Sequence, residues 1–439
     1  MITHAESHRF KERPLVIGFG LAGIFASLEL VDRGEKPVVF ERGRRLEERA
    51  VDVQRFIDDR VLDPESNIQF GEGGAGAYSD GKLFSRAHNS NCVAKALATF
   101  IRFGAPDDIG VVRKPHLGTD VLCVIARNMR EHILARGGEI HYGSKMTDIL
   151  TSGRDAVGVV INDEKEFRSS RIVLAIGHSA RDTFRMMRRK GVALEQKAIS
   201  VGVRVEHPAE LINRMRGGES CGGRTAQYSL TYTDRKSRRG VYTFCMCPGG
   251  EVINASSEPG MLVVNGMSYS RRDSAFSNAA IVVTCQTGDY GASDPLAGIE
   301  FQEKIERAAF AAGGGRWMAP AQNMMDFLDD RLSVRLNENS FKMGTTPARM
   351  GDLFPTFVGD SLGDAFRHWR TDYPTFVSDR ALLLGAETRT SCPVRIRRGV
   401  DYESVNMKNL YPIGEGSGYT GGITSSAADA IRAVESMGM

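Results

Sequence analysis

From Pro14 onward the chain alternates short apolar runs with glycine turns and amphipathic stretches. PLVIGFG (14–20) reads as a buried strand, LAGIFASLELVDRG (21–34) as a helix and KPVVFERG (36–43) as a second strand. Apolar strands joined through a helix make a βαβ unit, the building block of a parallel sheet covered on both faces. A polar, glycine-rich stretch, GEGGAGAYSDGKLF (71–84), follows. Helical patterns then run over 91–103 and 119–135, with Gly137 and Gly138 placed to end the latter.

Three extended segments come next: EIHYGSKMTDIL (139–150), AVGVVIN (156–162) and RIVLAIG (171–177). The texture then changes. SVGVRVEH, RTAQYSLTYT, GVYTFCMC, EVINASS, MLVVNGMSYS and NAAIVVTC succeed one another between turns of Gly, Pro, Ser and Asn, which predicts a largely antiparallel sheet. A helical period covers 296–311, a weakly patterned, helix-rich stretch continues to about 370, and NLYPIGEGSGYTGGITSSAADAIRAVES closes the chain as strand, glycine loop and helix. The predicted fold class is α/β: a Rossmann-like nucleotide-binding domain (1–195 and 376–439) into which a largely antiparallel-sheet substrate domain (196–375) is inserted.

With 439 residues the chain suits two domains of roughly 100–200 residues each. Its 57 Lys and Arg against 54 Asp and Glu lack the footprint of a nucleic-acid binder, so the basic runs 235–239 and 395–398 read as solvated faces or anion contacts. The N-terminal residues MITHAESHRFKER have no apolar core of a signal peptide, and no apolar run reaches a membrane span. Seven scattered cysteines suit free thiols in a reducing compartment, and the expected location is cytoplasmic.

Gly18, Gly20 and Gly23 form a GxGxxG fingerprint between strand and helix, with Glu41 closing the next strand about 20 residues on. Gly18 makes the tight turn, Gly20 admits a pyrophosphate onto the helix start at Leu21 and Ala22, and Gly23 lets helix and strand approach. Glu41, with Arg42 beside it, would meet the adenosine ribose. No second fingerprint exists, and two later segments, RIVLAIGHSA and NLYPIGEGSGYTGGITSSAADAI, favour FAD over NAD. Gly177 ends a buried strand where the chain returns past the dinucleotide. Gly414 and Glu415 would meet the ribityl or pyrophosphate region, Gly421 and Gly422 the isoalloxazine edge, and the helix from Ile423 would aim its dipole at the flavin. Gly73, Gly74, Ala75, Asp80 and Lys82 complete the expected cofactor surround, with Lys82 alternatively a solvated side chain.

FGEGGAGAYSDGKL, LAIGHSARDTF, FCMCPGGEVINASSE, VVNGMSYSRRD, PLAGIEFQ and ETRTSCPVRI together resemble the uncharacterised FAD-dependent dehydrogenase family of bacteria, over nearly the whole chain. The resemblance implies FAD and a two-domain flavoprotein fold; it names no substrate.

Several residues are candidates for chemistry. In an extended strand Tyr242, Phe244 and Met246 share one face and Thr243, Cys245 and Cys247 the other. The two cysteines would then lie roughly 6.6 Å apart with parallel side chains, which disfavours a bridge, and no companion ligands suggest zinc. They read as packing residues, as part of a substrate face, or as a redox pair. His178 is a proton donor by the flavin or a hydrogen-bonded structural residue. Arg389 and Arg395, near Glu387, suit an anionic substrate or an ion pair between domains. GHSA lacks the second glycine of a nucleophile elbow, which excludes a hydrolase. The expected function is hydride transfer between flavin N5 and a small molecule. A transient NAD(P)H or another electron donor or acceptor is the expected partner, with no metal, nucleic acid or membrane. The alternatives are a flavin-dependent RNA-modifying enzyme and a non-enzymatic flavin-binding regulator or assembly factor.

Overall fold

The computed structural model describes residues 13–83, 91–112, 115–215 and 226–437. The N-terminal polar run up to Glu12, Phe84 and the first two residues of the strand expected from Arg224 lie outside them.

Five strands form a parallel sheet in the order Leu410–Pro412, Ile172–Leu174, Leu15–Ile17, Val38–Phe40 and Glu139–His141. Alternation of side chains sorts each strand between two layers. Val16, Val39 and Val173 face the helix layer, while Leu15, Ile17, Val38, Phe40, Ile172 and Leu174 face the other side. In the helix layer Leu21–Asp32 lies against the C-terminal helix Ile423–Ser436, whose fully buried Ala427, Ala430 and Ala433 permit the close approach. The opposite layer is an antiparallel sheet of Met146–Ser152, Asp155–Ile161 and Lys165–Arg168.

A seven-stranded sheet follows in the order Thr231–Thr233, Gly240–Cys247, Phe276–Cys285, Ile199–Pro208, Leu382–Glu387, Ala319–Asn323 and Thr345–Pro347. It is antiparallel except for its last pair. Two features correct the sequence reading. Leu382–Glu387 is buried throughout beside Ile199–Pro208, so the sheet extends past residue 375 and the return to the parallel sheet begins later than expected. Glu251–Asn254 and Val264–Met267 pair with each other as a separate hairpin. Gly266 fits there because a Cβ would lie 2.2 Å from Arg204 Nη1. Among the described residues no helix is long and apolar enough to cross a membrane.

The two main sheets are joined through one carboxylate. Glu306, on the helix Ala297–Ala312, is fully buried. Arg181, which follows the parallel-sheet strand Ile172–Leu174, donates to its Oε1 at 2.7 Å and its Oε2 at 2.9 Å. Arg389, just beyond Leu382–Glu387, donates to the same two oxygens at 3.1 and 2.9 Å, and Thr388 Oγ1 donates to Oε1 at 2.6 Å.

The two guanidiniums hold the Glu306 carboxyl far below the ordinary carboxylate range against the opposing effect of burial. A depressed folded-state pKa contributes stability that is complete above the unfolded value of about 4.3 and fades as pH falls. Glu306→Gln should therefore cost about 3–5 kcal/mol in denaturant unfolding at neutral pH, because both arginines lose their counter-charge. The variant should also lose part of the destabilisation that the parent chain shows below about pH 5. An unchanged acid dependence in the variant would refute this assignment.

Candidate functional site

Leu15–Ile17 runs into Gly18, whose φ of +95° suits glycine alone. Gly20 then caps the helix Leu21–Asp32. A Cβ on Gly23 would sit 1.9 Å from Gly18 O, so this glycine is fixed by helix–strand packing. A Cβ on Gly20 would instead meet only Gly74, at 3.5 Å, because Gly20 faces open space. That space is a cavity of about 380 Å³, walled by Gly18, Gly20, Leu21, Ala22, Glu41 and Arg42 on this side. Glu41 accepts backbone N–H groups from Phe19 at 2.6 Å, Gly43 at 2.9 Å and Gly71 at 3.0 Å, which locks three loops around the cavity edge. Arg42 pairs with Asp182 and Glu65 and lies 4.0 Å from the Phe70 ring centroid.

The second wall is the glycine-rich segment, and an arginine that the sequence reading missed organises it. Arg49, fully buried, donates to the carbonyls of Asn67, Ile68, Gly71, Glu72 and Gly74. It turns these oxygens inward, and Gly73, Gly74 and Ala75 line the cavity beside Gly20. Asp80, also lining it, accepts from Lys82 Nζ at 2.5 Å, from Arg272 at 2.8 Å and from Ser268 Oγ. Lys82 Nζ reaches Met246 O as well, so Lys82 is an anchored wall residue. The signal for Arg49 lay in RAVDVQRF, where a lone arginine sits on the apolar face of the helix Leu46–Asp59 with buried Leu46, Val53 and Phe56.

The third wall comes from the C-terminal segment. Glu415, Gly421, Gly422 and Ile423 line the cavity together with Gly177 and His178. The N-terminus of Ile423–Ser436 thus opens onto the same space as that of Leu21–Asp32. Gly414 does not line it, contrary to expectation. A Cβ there would lie 2.6 Å from the Ala22 side chain, and its N–H donates to Asp429, so it packs the two helices instead.

His178 Nδ1 is 3.7 Å from Glu415 Oε1, and its Nε2 is buried with no hydrogen-bond partner among the described residues. Burial, reinforced by Arg389 and Arg181, depresses its pKa to about 3, so the ring is neutral at physiological pH and carries no proton to give as an imidazolium. Burial pushes Glu415 up to about 7, which makes it the protonatable group of the pair. Arg389 reaches the cavity edge, where it binds Ser179 and Ser257 while remaining paired with Glu306. Arg395 does not reach it. Its guanidinium pairs with Glu195 at 2.7 Å and lies over Tyr419, because Val394–Ile396 pairs with Leu194–Gln196 on the outside.

The antiparallel sheet closes the cavity with Phe244, Cys245 and Glu387, and the separate hairpin adds Asn265. Here the expected alternation fails. Phe244 pairs with Ala280 and Cys247 with Asn278, so one extra residue is accommodated between them as a bulge, with Cys245 at φ +43°. Cys247 therefore shares a face with Phe244, not with Thr243, and lies fully buried behind the wall that Cys245 forms. A bulge has no period, so no sequence pattern announced it. A second hollow of about 340 Å³ adjoins the cavity at Phe244, Thr390 and Gly421 and is lined further by Ser200, Tyr242, Thr284 and Ser391. Among the described residues no cluster of three or more His, Cys, Asp or Glu could hold a metal.

Residues 198–390 match the model of a family described as "FAD-dependent protein, C-terminal domain-like". An uncharacterized protein of Clostridium beijerinckii is 44% identical over 434 residues, covering 98% of this chain and 81% of its own. The chain belongs to this family of FAD-dependent proteins. Solved structures with similarity include the FAD complex of glycerol-3-phosphate dehydrogenase from Bacillus halodurans, 12% identical over 98% of this chain and 65% of that one, with a TM-score of 0.42. Glycine oxidase from Bacillus cereus is 8% identical over 98% and 95% of the two chains, with a TM-score of 0.39. FAD is the cofactor of this family member, and the cavity suits a dianionic dinucleotide. Two helix N-termini and glycine backbone face it, and Gly20 leaves open the space a side chain would fill.

Arg49→Met should strip five loop carbonyls of their donor, and each buried unsatisfied group costs about 1–3 kcal/mol. The expected outcome is a large loss of stability in denaturant melts and release of FAD, measured as the flavin-to-protein absorbance ratio after desalting. Arg49→Lys, with fewer donors, should fall between the two.

Proposed function

We propose that this flavoprotein is an oxidoreductase that moves a hydride between flavin N5 and a small, uncharged organic substrate. The observation that carries the reading is the meeting of two unlike surfaces at one cavity. Three glycine loops and two helix N-termini wall one side, and the antiparallel sheet, with its adjoining hollow, walls the other.

Gly18, Gly20 and the first amides of Leu21–Asp32 would hold the pyrophosphate, Glu41 the adenosine ribose, and Gly421 to Ile423 the flavin ring. When bound, FAD supplies reversible two-electron chemistry. The chain's own residues then bind, orient and handle protons. Glu415, with its pKa near 7, gives or takes a proton, with the neutral His178 ring 3.7 Å away.

The hollow that would receive substrate is lined by the hydroxyl-bearing Ser200, Tyr242, Thr284, Thr390 and Ser391 and by Phe244, with no charged side chain among the described residues of its lining. This supports an uncharged, hydroxyl- or carbonyl-bearing substrate over the anion that Arg389 and Arg395 first suggested. A nicotinamide nucleotide would act as a transient electron donor or acceptor.

The test is anaerobic flavin bleaching by a panel of alcohols, aldehydes, ketones, carboxylates and reduced nicotinamide nucleotides. Bleaching by neutral polar compounds in preference to their carboxylate analogues is the expected result. If no small molecule changes the flavin spectrum, the oxidoreductase reading fails in favour of a regulator or assembly factor; RNA binding that weakens steeply with salt would favour an RNA-modifying enzyme. Two glycine variants separate cofactor binding from folding. Gly20→Val should keep a native melting transition but lose FAD, since its side chain would enter the cavity. Gly23→Ala should lower the melting temperature itself, because its methyl would collide with Gly18 O.

A further inference from the structure

The bulge that overturns the strand alternation also brings two thiols together at the cavity wall. In an extended strand, residues two apart hold their alpha carbons roughly 6.6 Å from each other, near the far end of what a disulfide tolerates. Cys245 is left-handed instead, at the bulge that turns Cys247 to the face of Phe244. Cys247 Sγ donates to Cys245 O at 3.3 Å, so the second thiol sits against the backbone of the first. Cys245 lines the cavity and Cys247 sits directly behind it.

The charges around the pair are arranged unevenly. Arg204 Nη1 donates to Cys245 O at 3.1 Å and approaches Cys247 Sγ at 3.9 Å, and Lys82 Nζ holds the carbonyl of the intervening Met246. The carboxylates nearby are already engaged, Asp80 by Lys82 and Arg272 and Glu387 by Arg204, while Glu415 faces the same space. The neighbouring Cys247 thiol and the two cations favour a thiolate on Cys245, and burial favours a thiol on Cys247. The contrast with the other buried cysteines is direct. Burial pushes the thiols of Cys285 and Cys392 up to about 12.

We propose that Cys245 and Cys247 are a redox-active dithiol that exchanges an electron pair with the flavin in the adjoining cavity. The exchange balances with no other reactant. The Cys245 thiolate and Cys247 thiol lose one S–H bond and two electrons and form an S–S bond; oxidised FAD gains that proton and both electrons and becomes the anionic reduced flavin. Run backward, reduced flavin reopens the bridge. The inference rests on FAD occupying the glycine-walled cavity, and it adds to the proposed oxidoreductase a protein-borne store for one electron pair.

Anaerobic reductive titration of the holoprotein with dithionite tests it. After mild oxidation, the parent chain should take up four electrons per FAD before flavin reduction is complete, and Cys247→Ser should take up two. In parallel, the tryptic peptide from Gly240 to Arg271, which holds both cysteines, should be bridged in the oxidised protein and doubly alkylated after reduction. Equal uptake of two electrons by both proteins, with no bridged peptide at any redox poise, would overturn the proposal. The flavin-to-protein ratio, read in the same samples, separates that failure from failure to bind FAD.

If Cys247→Ser does not fold, the native protein stripped of FAD still decides the matter. Iodoacetamide at pH 6.5 should label Cys245 at least tenfold faster than Cys285 and Cys392. Labelling of Cys245 no faster than these two would count against the pair.

Discussion

One buried carboxylate fixes how the two halves of this molecule meet. Glu306 receives guanidinium hydrogen bonds from Arg181, which belongs to the parallel-sheet layer, and from Arg389, which follows Leu382–Glu387 of the antiparallel sheet. Removing these groups from water carries a desolvation cost of several kcal/mol per ion, so the network is stable only with good geometry and with its remaining donors satisfied. Glu258, Gln302, Ser179 and Ser257 supply those further partners. A slide of one sheet against the other would leave a charge buried and unpaired, and the cavity between the sheets therefore has a defined shape before any ligand enters it.

The rim of that cavity solves a different problem. A loop whose backbone must lie close to a phosphate cannot bury its own carbonyls without partners. Arg49 answers this from behind by collecting five carbonyl oxygens of residues 67–74 on one guanidinium. Glu41 answers it for the N–H groups that point the other way, accepting from Phe19, Gly43 and Gly71. A buried cation and a buried anion on neighbouring elements thus hold three loops in register around an open space, and the glycines between them let the chains approach.

The parts of this arrangement visible in the sequence are those with a period or a fixed spacing. The apolar runs at Val16, Val39 and Val173, the fingerprint from Gly18 to Gly23 and the C-terminal glycine loop each follow a local rule, and they converge on one cavity. What stayed hidden depends on distant partners. Gly414 has the local pattern of a cofactor contact, but Ala22 packs on it, and Arg395 that of a substrate anchor, but Glu195 pairs with it. LLLGAE at 382–387 is a short apolar run whose place in the antiparallel sheet depends on Ile199–Pro208, almost two hundred residues away, and nothing local reports such a pairing. The bulge at Cys245 breaks the alternation on which strand reading relies.

The side-chain cations around the cavity share a further property. Arg42 is engaged by Asp182 and Glu65, Lys82 by Asp80, Arg204 by Glu387, and Arg181 and Arg389 by Glu306. Each counter-charge is part of the protein, so these cations contribute little net positive potential of their own. Attraction for the cofactor's negative charge would then fall to the backbone, through the N-terminal ends of Leu21–Asp32 and Ile423–Ser436, whose partial charges need no counter-ion. The same neutralisation acts on the substrate side. With these arginines committed, His178 uncharged and no charged side chain among the described residues that line the adjoining hollow, a neutral substrate would lose little by entering.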